Sequence, residues 1–144
     1  MAEITPMQKK ISRIRLGKQF SRPEDRDQLT EKIIACCYRV HSELGPGFNE
    51  KVYHSALRMA LDEAGLEYDS EKQYRVVYQG EKVGALRIDL IVQNEVIVEV
   101  KALANRLPEL FKYQVISYLK VSRLRVGLLV NFGTESCEVK RLSS

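Results

Sequence analysis

The sequence lacks any apolar run of the roughly 18–20 residues that a membrane-spanning helix needs. It also lacks an apolar stretch behind the N-terminus, which argues against a secretory signal peptide. We therefore expect no membrane association and a cytoplasmic location.

Cysteine is scarce, with Cys36, Cys37 and Cys137 as the three cysteines among 144 residues. The adjacent pair does not have the spacing of a zinc site, and an odd number argues against a disulfide framework. We expect Cys36 and Cys37 to serve as small apolar residues of a helix.

Positive and negative charges nearly balance over most of the chain. The net charge is +4, and the first 28 residues account for most of it, with seven Lys and Arg against four Asp and Glu. Residues 1–27 are predicted to form a basic N-terminal tail, either flexible or in contact with nucleic acid backbone. Residues 28–144 have the length of one domain.

Hydrophobic periodicity predicts the order α-α-β-β-β-α-β-β, a mixed sheet with helices packed on it. The first helix runs from Leu29 to the Gly45-Pro46-Gly47 break, and the second starts at Glu50, with Asn49 as N-cap and Gly65 after its end. The other predictions are strands at Tyr74–Tyr78, Val83–Val92 and Val96–Lys101, a helix with Pro108 near its first position, and strands at Val126–Phe132 and Ser136–Leu142.

Four charged residues stand in apolar surroundings: Glu50 on a helix, Asp89 on a strand, and Glu99 and Lys101 on the next strand. An unpaired buried charge costs several kcal/mol or more. If Val92 pairs with Val96 across the hairpin, Asp89 lies opposite Glu99. Facing carboxylates repel, and a bound Mg²⁺ or Mn²⁺ would reverse that repulsion.

In this interpretation Asp89 and Glu99 bind the metal ion with the carbonyl of Val100, and Glu50 reaches it directly or through water. This order of residues indicates phosphodiester cleavage. Lys101 would orient or deprotonate the attacking water, or offset charge on the pentavalent phosphorane that forms during the reaction. The alternative is a cross-strand ion pair at a sheet edge, because Glu-x-Lys alone recurs by chance.

The segment Gly47-Phe48-Asn49-Glu50-Lys51-Val52-Tyr53 matches the GxxExxY signature, and the chain from Leu29 to Leu142 resembles the GxxExxY protein family. That family is assigned to the PD-(D/E)xK nuclease superfamily. The resemblance implies a restriction-endonuclease-like α/β fold, with Glu50, Asp89, Glu99 and Lys101 at the catalytic positions.

The segment from Gln114 to Tyr118 resembles the QxxxY motif of RecB-like members of that superfamily. As residues i and i+4 they share a helix face. Gln114 would contact the scissile phosphate or the Lys101 region. Tyr118 would either support it or belong to the core.

The sequence thus predicts an Mg²⁺- or Mn²⁺-dependent nuclease acting on DNA or RNA. An exposed sheet edge could pair with a second copy to form a homodimer. The alternative is a catalytically silent nuclease fold that binds nucleic acid or a protein partner. We expect His41, near the end of the first helix, and Asn131 and Phe132, at the end of a central strand, to be structural.

Overall fold

A computed structural model of the protein describes residues 23–144, and the predicted tail from residue 1 to residue 22 lies outside this range. The first helix, α1 (Pro23–Leu44), begins before the predicted domain boundary at residue 28. Residues 23–27, which the sequence analysis assigned to the tail, therefore belong to this helix.

The remaining elements follow in the predicted order, and their ends differ from the predictions by a few residues at most positions. The sequence underestimated the first strand most, because its N-terminal half, Tyr68–Gln73, does not alternate strictly. The elements are α2 (Glu50–Glu63), β1 (Tyr68–Tyr78), β2 (Glu81–Val92), β3 (Val96–Lys101), α3 (Glu109–Ser122), β4 (Val126–Asn131) and β5 (Glu138–Ser143).

One five-stranded sheet organises the described residues, with the strands in sequence order from β1 to β5. Strands β3 and β4 are parallel, and the other neighbours are antiparallel. Helix α3 makes the crossover between the parallel pair, as such a connection requires. The predicted mixed sheet flanked by helices is confirmed, with β3 at its centre and β5 at an edge.

The hairpin between β2 and β3 has the register that the sequence analysis assumed. Val92 pairs with Val96, Ile91 with Ile97 and Leu90 with Val98. Gln93 and Asn94 both adopt left-handed φ angles, 52° and 58°, in the connecting turn. This register carries Asp89 and Glu99 to the end of the strand pairing.

Helices α1 and α2 cover one face of the sheet, and α3 covers the other. The larger core cluster joins the first two helices to Val96, Val98 and Val100 of β3. The smaller cluster joins α3 to the opposite face and consists of Ile88, Ile91, Ile97, Tyr118 and Leu119. Because the central strand is covered on both sides, it is almost continuously apolar.

Helical periodicity predicts Val52 and Leu110 on the apolar faces of their helices, and the structure exposes both. Val52 of α2 is 37% exposed and Leu110 of α3 is 70% exposed. Both lie in the first turn of their helix. Pro108 is the N-cap of α3 and not its first helical residue.

Several residues expected to be structural have structural contacts. Cys36 and Cys37 are buried in the larger cluster, His41 bonds the backbone carbonyl of Thr134 at 2.8 Å, and Asn131 bonds the backbone of Leu103, among other groups. No helix within residues 23–144 is both long and apolar enough to cross a membrane.

Candidate active site

Two hydrogen bonds from backbone N–H groups to carboxylates link Asp89 to Glu99 and to Val100 where β2 and β3 stop pairing. The backbone N–H of Asp89 donates to Glu99 Oε1 at 3.1 Å, and the backbone N–H of Val100 donates to Asp89 Oδ2 at 2.8 Å. The side-chain carboxylates thus replace main-chain carbonyls as acceptors after the last paired residues. The second oxygens, Asp89 Oδ1 and Glu99 Oε2, accept no hydrogen bond from the described residues.

Strand β2 also changes its side-chain alternation at Asp89. Leu90 packs in the larger core cluster, whereas Ile88 and Ile91 both pack in the smaller one. On the paired strand, Glu71 has a left-handed φ of 57°. The change of alternation in β2 at Asp89 therefore coincides with an irregular residue in the neighbouring strand β1.

Glu99 is only 4% exposed, which is unusual for an ionisable side chain. Burial raises the pKa of its carboxyl, the negative charge of Asp89 raises it further, and together they bring the pKa to about 8 despite the Asp89 hydrogen bond and Lys101. Burial is therefore the main reason that the Glu99 carboxyl resists ionisation, and the charge of Asp89 is the second.

Lys101 leaves β3 two residues after Glu99, on the same side of the strand. Its Nζ lies 4.0 Å from Glu99 Oε2 and 4.3 Å from the centre of the Phe111 ring on α3. The aromatic face and the carboxylate both attract the ammonium group, and they hold it beside the two acidic residues.

The start of α2 is fixed by a short set of local contacts. The Asn49 side chain accepts a hydrogen bond from the backbone N–H of Val52 and caps the helix. The fully buried Tyr53 donates its hydroxyl proton to the Gly45 carbonyl and accepts a hydrogen bond from the Phe48 N–H. The tyrosine of the Gly47–Tyr53 motif thus bonds the backbone of the turn that precedes its glutamate.

Glu50 is the first residue of α2, and its charge interacts with those of Asp89 and Glu99. Although much of the residue is exposed, partial burial raises the pKa of its carboxyl, and Lys101, Asp89 and His54 contribute in that order of size. Lys101 and His54 lower this pKa, while Asp89 raises it. Asp89 and Lys101 thus lie near enough to Glu50 to influence the pKa of its carboxyl.

His54 is a site residue that the sequence analysis missed. Its Nε2 lies 3.2 Å from the backbone carbonyl oxygen of Asp89. Glu50 and His54 are four residues apart on α2 and so share a helix face. That spacing to Glu50 is the signal in the sequence that could have identified His54.

Helix α3, which packs on the face of the sheet opposite α1 and α2, carries Gln114 and Tyr118. The Gln114 Oε1 atom is buried and has no hydrogen-bond partner among the described residues. Burial raises the pKa of Tyr118 to about 12, with further increases from Glu99 and Asp89. Tyr118 therefore belongs to the core and also faces the carboxylates.

No group of three Asp, Glu, His or Cys side chains in the described part of the chain is gathered closely enough to bind a metal ion as it stands. Asp89 and Glu99 form a close pair instead. The donor types nevertheless fit a hard divalent cation, because carboxylate oxygens are its preferred ligands. A bound cation would also favour the ionised form of the buried Glu99 carboxyl.

A family model described as the PD-(D/E)XK nuclease superfamily matches residues 27–142. The chain belongs to the PD-(D/E)XK nuclease superfamily. A superfamily match over this range includes every element from α1 to β5, and the superfamily generally uses divalent metal ions and acts on nucleic acid.

One solved structure supports the same fold. The crystal structure of a protein named SSO0001 superposes with a TM-score of 0.52, at 20% sequence identity, over 65% of this chain. The superposed part is 49% of that protein, so this chain matches about half of its length. No curated protein sequence matches this member of the nuclease superfamily.

Proposed function

We propose that this protein hydrolyses phosphodiester bonds of nucleic acid with the help of Mg²⁺ or Mn²⁺. The observation that carries the proposal is the Asp89–Glu99 pair, whose carboxylates are held together by backbone hydrogen bonds beside Lys101. The two carboxylates have Lys101 as a nearby cation, and burial together with the charge of Asp89 raises the pKa of Glu99 to about 8.

Asp89 and Glu99 would bind the cation through the oxygens that face away from their hydrogen bonds. The Val100 carbonyl would add a ligand, and Glu50 would join directly or through a water molecule. A bound divalent cation would acidify water and neutralise phosphate charge.

The other side chains have separate tasks. Lys101 would orient the attacking water or receive its proton, since its ammonium group is held beside Glu99 and Phe111. Gln114 has a buried oxygen without a partner, which a water molecule or a substrate group with a donor hydrogen could satisfy. Tyr118 packs one helical turn further on and would keep Gln114 in place.

Within the superfamily we assign the chain to the GxxExxY group. Gly47, with a φ of 116°, Tyr53 and Glu50 act together in the structure: the first two shape the turn that carries the third. This supports the motif as one functional unit at the start of α2.

The test is cleavage of single- and double-stranded DNA and RNA in Mg²⁺, Mn²⁺ or EDTA by the wild-type protein and by Lys101→Ala. We expect metal-dependent cleavage by the wild type and a loss of at least a hundredfold in the variant, the usual size of a lost acid–base contribution. Lys32→Ala, on the exposed face of α1, is the matched control and should cleave like the wild type.

Cleavage by Lys101→Ala at the wild-type rate would show that the site is wrongly assigned. Binding of nucleic acid without turnover under every metal condition would favour the catalytically silent alternative.

A further inference from the structure

The hairpin of β1 and β2 extends well beyond the sheet. Pairing between β2 and β3 ends at Leu90, whereas β1 and β2 remain paired from Tyr68–Val92 out to Tyr78–Glu81. Residues 72–87 therefore form a two-stranded ribbon, which we call the β1–β2 ribbon. Its tip is a two-residue turn in which Gln79 and Gly80 both have left-handed φ angles.

The base of the β1–β2 ribbon is anchored and its outer part is exposed. Tyr74 and Leu86, which pair with each other, pack against the core cluster that contains α3. Toward the tip, Val77, Tyr78 and Val83 are 53%, 64% and 61% exposed. A ribbon this exposed does not contribute its outer half to the core.

The charge of the ribbon is one-sided. It carries four basic residues and Glu81 as its one acidic residue, and the exposed Arg75 and Lys82 form no ion pair with the described residues. Arg87 lies two residues from Asp89 and is 3.6 Å from Glu71. Arg87 thus carries a positive charge on β2 close in sequence to the proposed catalytic carboxylate of Asp89.

We propose that the β1–β2 ribbon binds double-stranded DNA by lying in its major groove, an inference that rests on the proposed function for the position of the scissile phosphate. A two-stranded antiparallel ribbon fits the B-form major groove, which is about 12 Å wide. The basic side chains would contact the flanking phosphates.

Two physical arguments favour this ligand. The major groove of A-form RNA is too narrow for side chains to enter, so a ribbon of this kind distinguishes DNA from duplex RNA. A second copy of the chain would bring like charges together if the two ribbons met, which is unfavourable. A polyanion instead complements the four basic residues.

The length of the β1–β2 ribbon predicts how many base pairs of the duplex it contacts. Eight residues separate Asp89 from Glu81 along β2, which is about 26 Å at ~3.3 Å per residue. That length corresponds to about eight base pairs at the ~3.4 Å spacing of stacked bases. The bound duplex should therefore extend about eight base pairs from the scissile phosphate on the ribbon side.

The first experiment measures binding of labelled duplex DNA to the full chain in EDTA, so that cleavage is not needed for a signal. The variant Arg75→Gln/Lys82→Gln should bind about tenfold more weakly, and its log–log salt slope should fall by about 1.8, for two lost phosphate contacts. The control Lys32→Gln/Lys120→Gln removes the same charge from exposed helix positions and should bind like the wild type.

The second experiment shortens the ribbon. Replacing residues 77–83 by Asn-Gly joins the paired residues Val76 and Gly84 through a turn suited to hairpins. The shortest duplex bound with full affinity should become about two to three base pairs shorter, since β1 loses about 7 Å and β2 about 10 Å.

Equal binding by the ribbon variant and the control would overturn the proposal. So would equally tight, ribbon-dependent binding of duplex RNA, or a change in sedimentation alone, which would make the ribbon a contact between copies. Ribbon-dependent DNA binding without cleavage in Mn²⁺ would keep this inference and refute the proposed function. Cleavage that is unaffected by the ribbon variants would refute this inference and keep the proposed function.

Discussion

Glu99 shows how a single side chain can be destabilising in the free protein and still be required by the site. It is almost completely buried, it faces Asp89, and the nearby Lys101 only partly offsets that charge. Replacing this residue by a neutral isostere should therefore improve folding while removing a proposed metal ligand. The expected trade of stability for function is common at active sites.

The pH dependence of stability follows from the Glu99 carboxyl. Its pKa rises from 4.5 to about 8 on folding, so the folded state holds the proton more tightly. Its destabilising effect is absent below pH 4.5, grows as the pH rises between these values, and is complete above pH 8. In EDTA, Glu99→Gln should gain stability over the wild type as the pH rises, by a few kcal/mol at most at ~1.4 kcal/mol per pH unit.

Urea unfolding of both proteins at about pH 5 and about pH 8 measures this difference. Glu31→Gln, on the exposed face of α1, is the control and should show no such growth. A Glu99→Gln protein that loses stability relative to wild type at the higher pH would mean that the glutamate forms a favourable ion pair.

Asp89 offers a second test at the residue scale, because its Oδ2 accepts the Val100 hydrogen bond and an asparagine oxygen can do the same. Asp89→Asn should keep that contact, remove one of two repelling charges and raise the melting temperature of the metal-free protein by a few degrees. Thermal melting in EDTA measures it. A cross-strand ion pair predicts the opposite, since asparagine would leave Lys101 less well compensated.

At the scale of elements, the position of α3 decides whether Gln114 and Tyr118 reach the carboxylates. The helix packs on β4 at Gly127, where an added Cβ would lie 2.7 Å from Val115 Cγ1 and 3.7 Å from Leu119 Cδ2. The glycine therefore permits the close approach of helix and strand, and periodicity in the sequence gives no indication of it.

Gly127→Ala should consequently push α3 away from the sheet. We expect a loss of about 1–3 kcal/mol in unfolding free energy, the usual cost of overpacking, together with slower cleavage. Gly84→Ala is the matched control, because the added Cβ would have no heavy atom within 4 Å. Urea unfolding of both variants and the cleavage rate of Gly127→Ala test this, and an equal loss of stability in the two variants would exclude a specific role for the close approach.

At the scale of the whole molecule, the candidate site joins three parts of the fold that are distant in sequence: the start of α2, the point where β2 and β3 diverge, and the face of α3. A ligand bound among these parts should therefore stabilise the domain as a unit. Local contacts within one element would have a weaker effect on global unfolding.

Mn²⁺ should accordingly raise the melting temperature of the wild type. At about one hundred times its dissociation constant the ion adds ~2.7 kcal/mol, or roughly 5–10 °C for a domain of this size. Differential scanning fluorimetry with and without Mn²⁺ measures the shift, and Asp89→Asn should lose most of it. An equal shift in both proteins would place the ion elsewhere.

The sequence by itself determined the element order and the hairpin register that brings Asp89 and Glu99 together. Both follow from local patterns: the period of apolar residues, the Gly-Pro-Gly break, and a turn of fixed length between Val92 and Val96. The charges within an apolar strand likewise marked the site, because burial makes such residues costly.

Only the tertiary structure decided the rest. Packing gave His54 its position against the Asp89 carbonyl, left Val52 and Leu110 exposed, and brought α3 close to Gly127. It also showed that β1 and β2 extend beyond the sheet as a ribbon. These features depend on which surfaces meet after the chain has folded, and residues close in sequence do not encode them because the contacts are long-range.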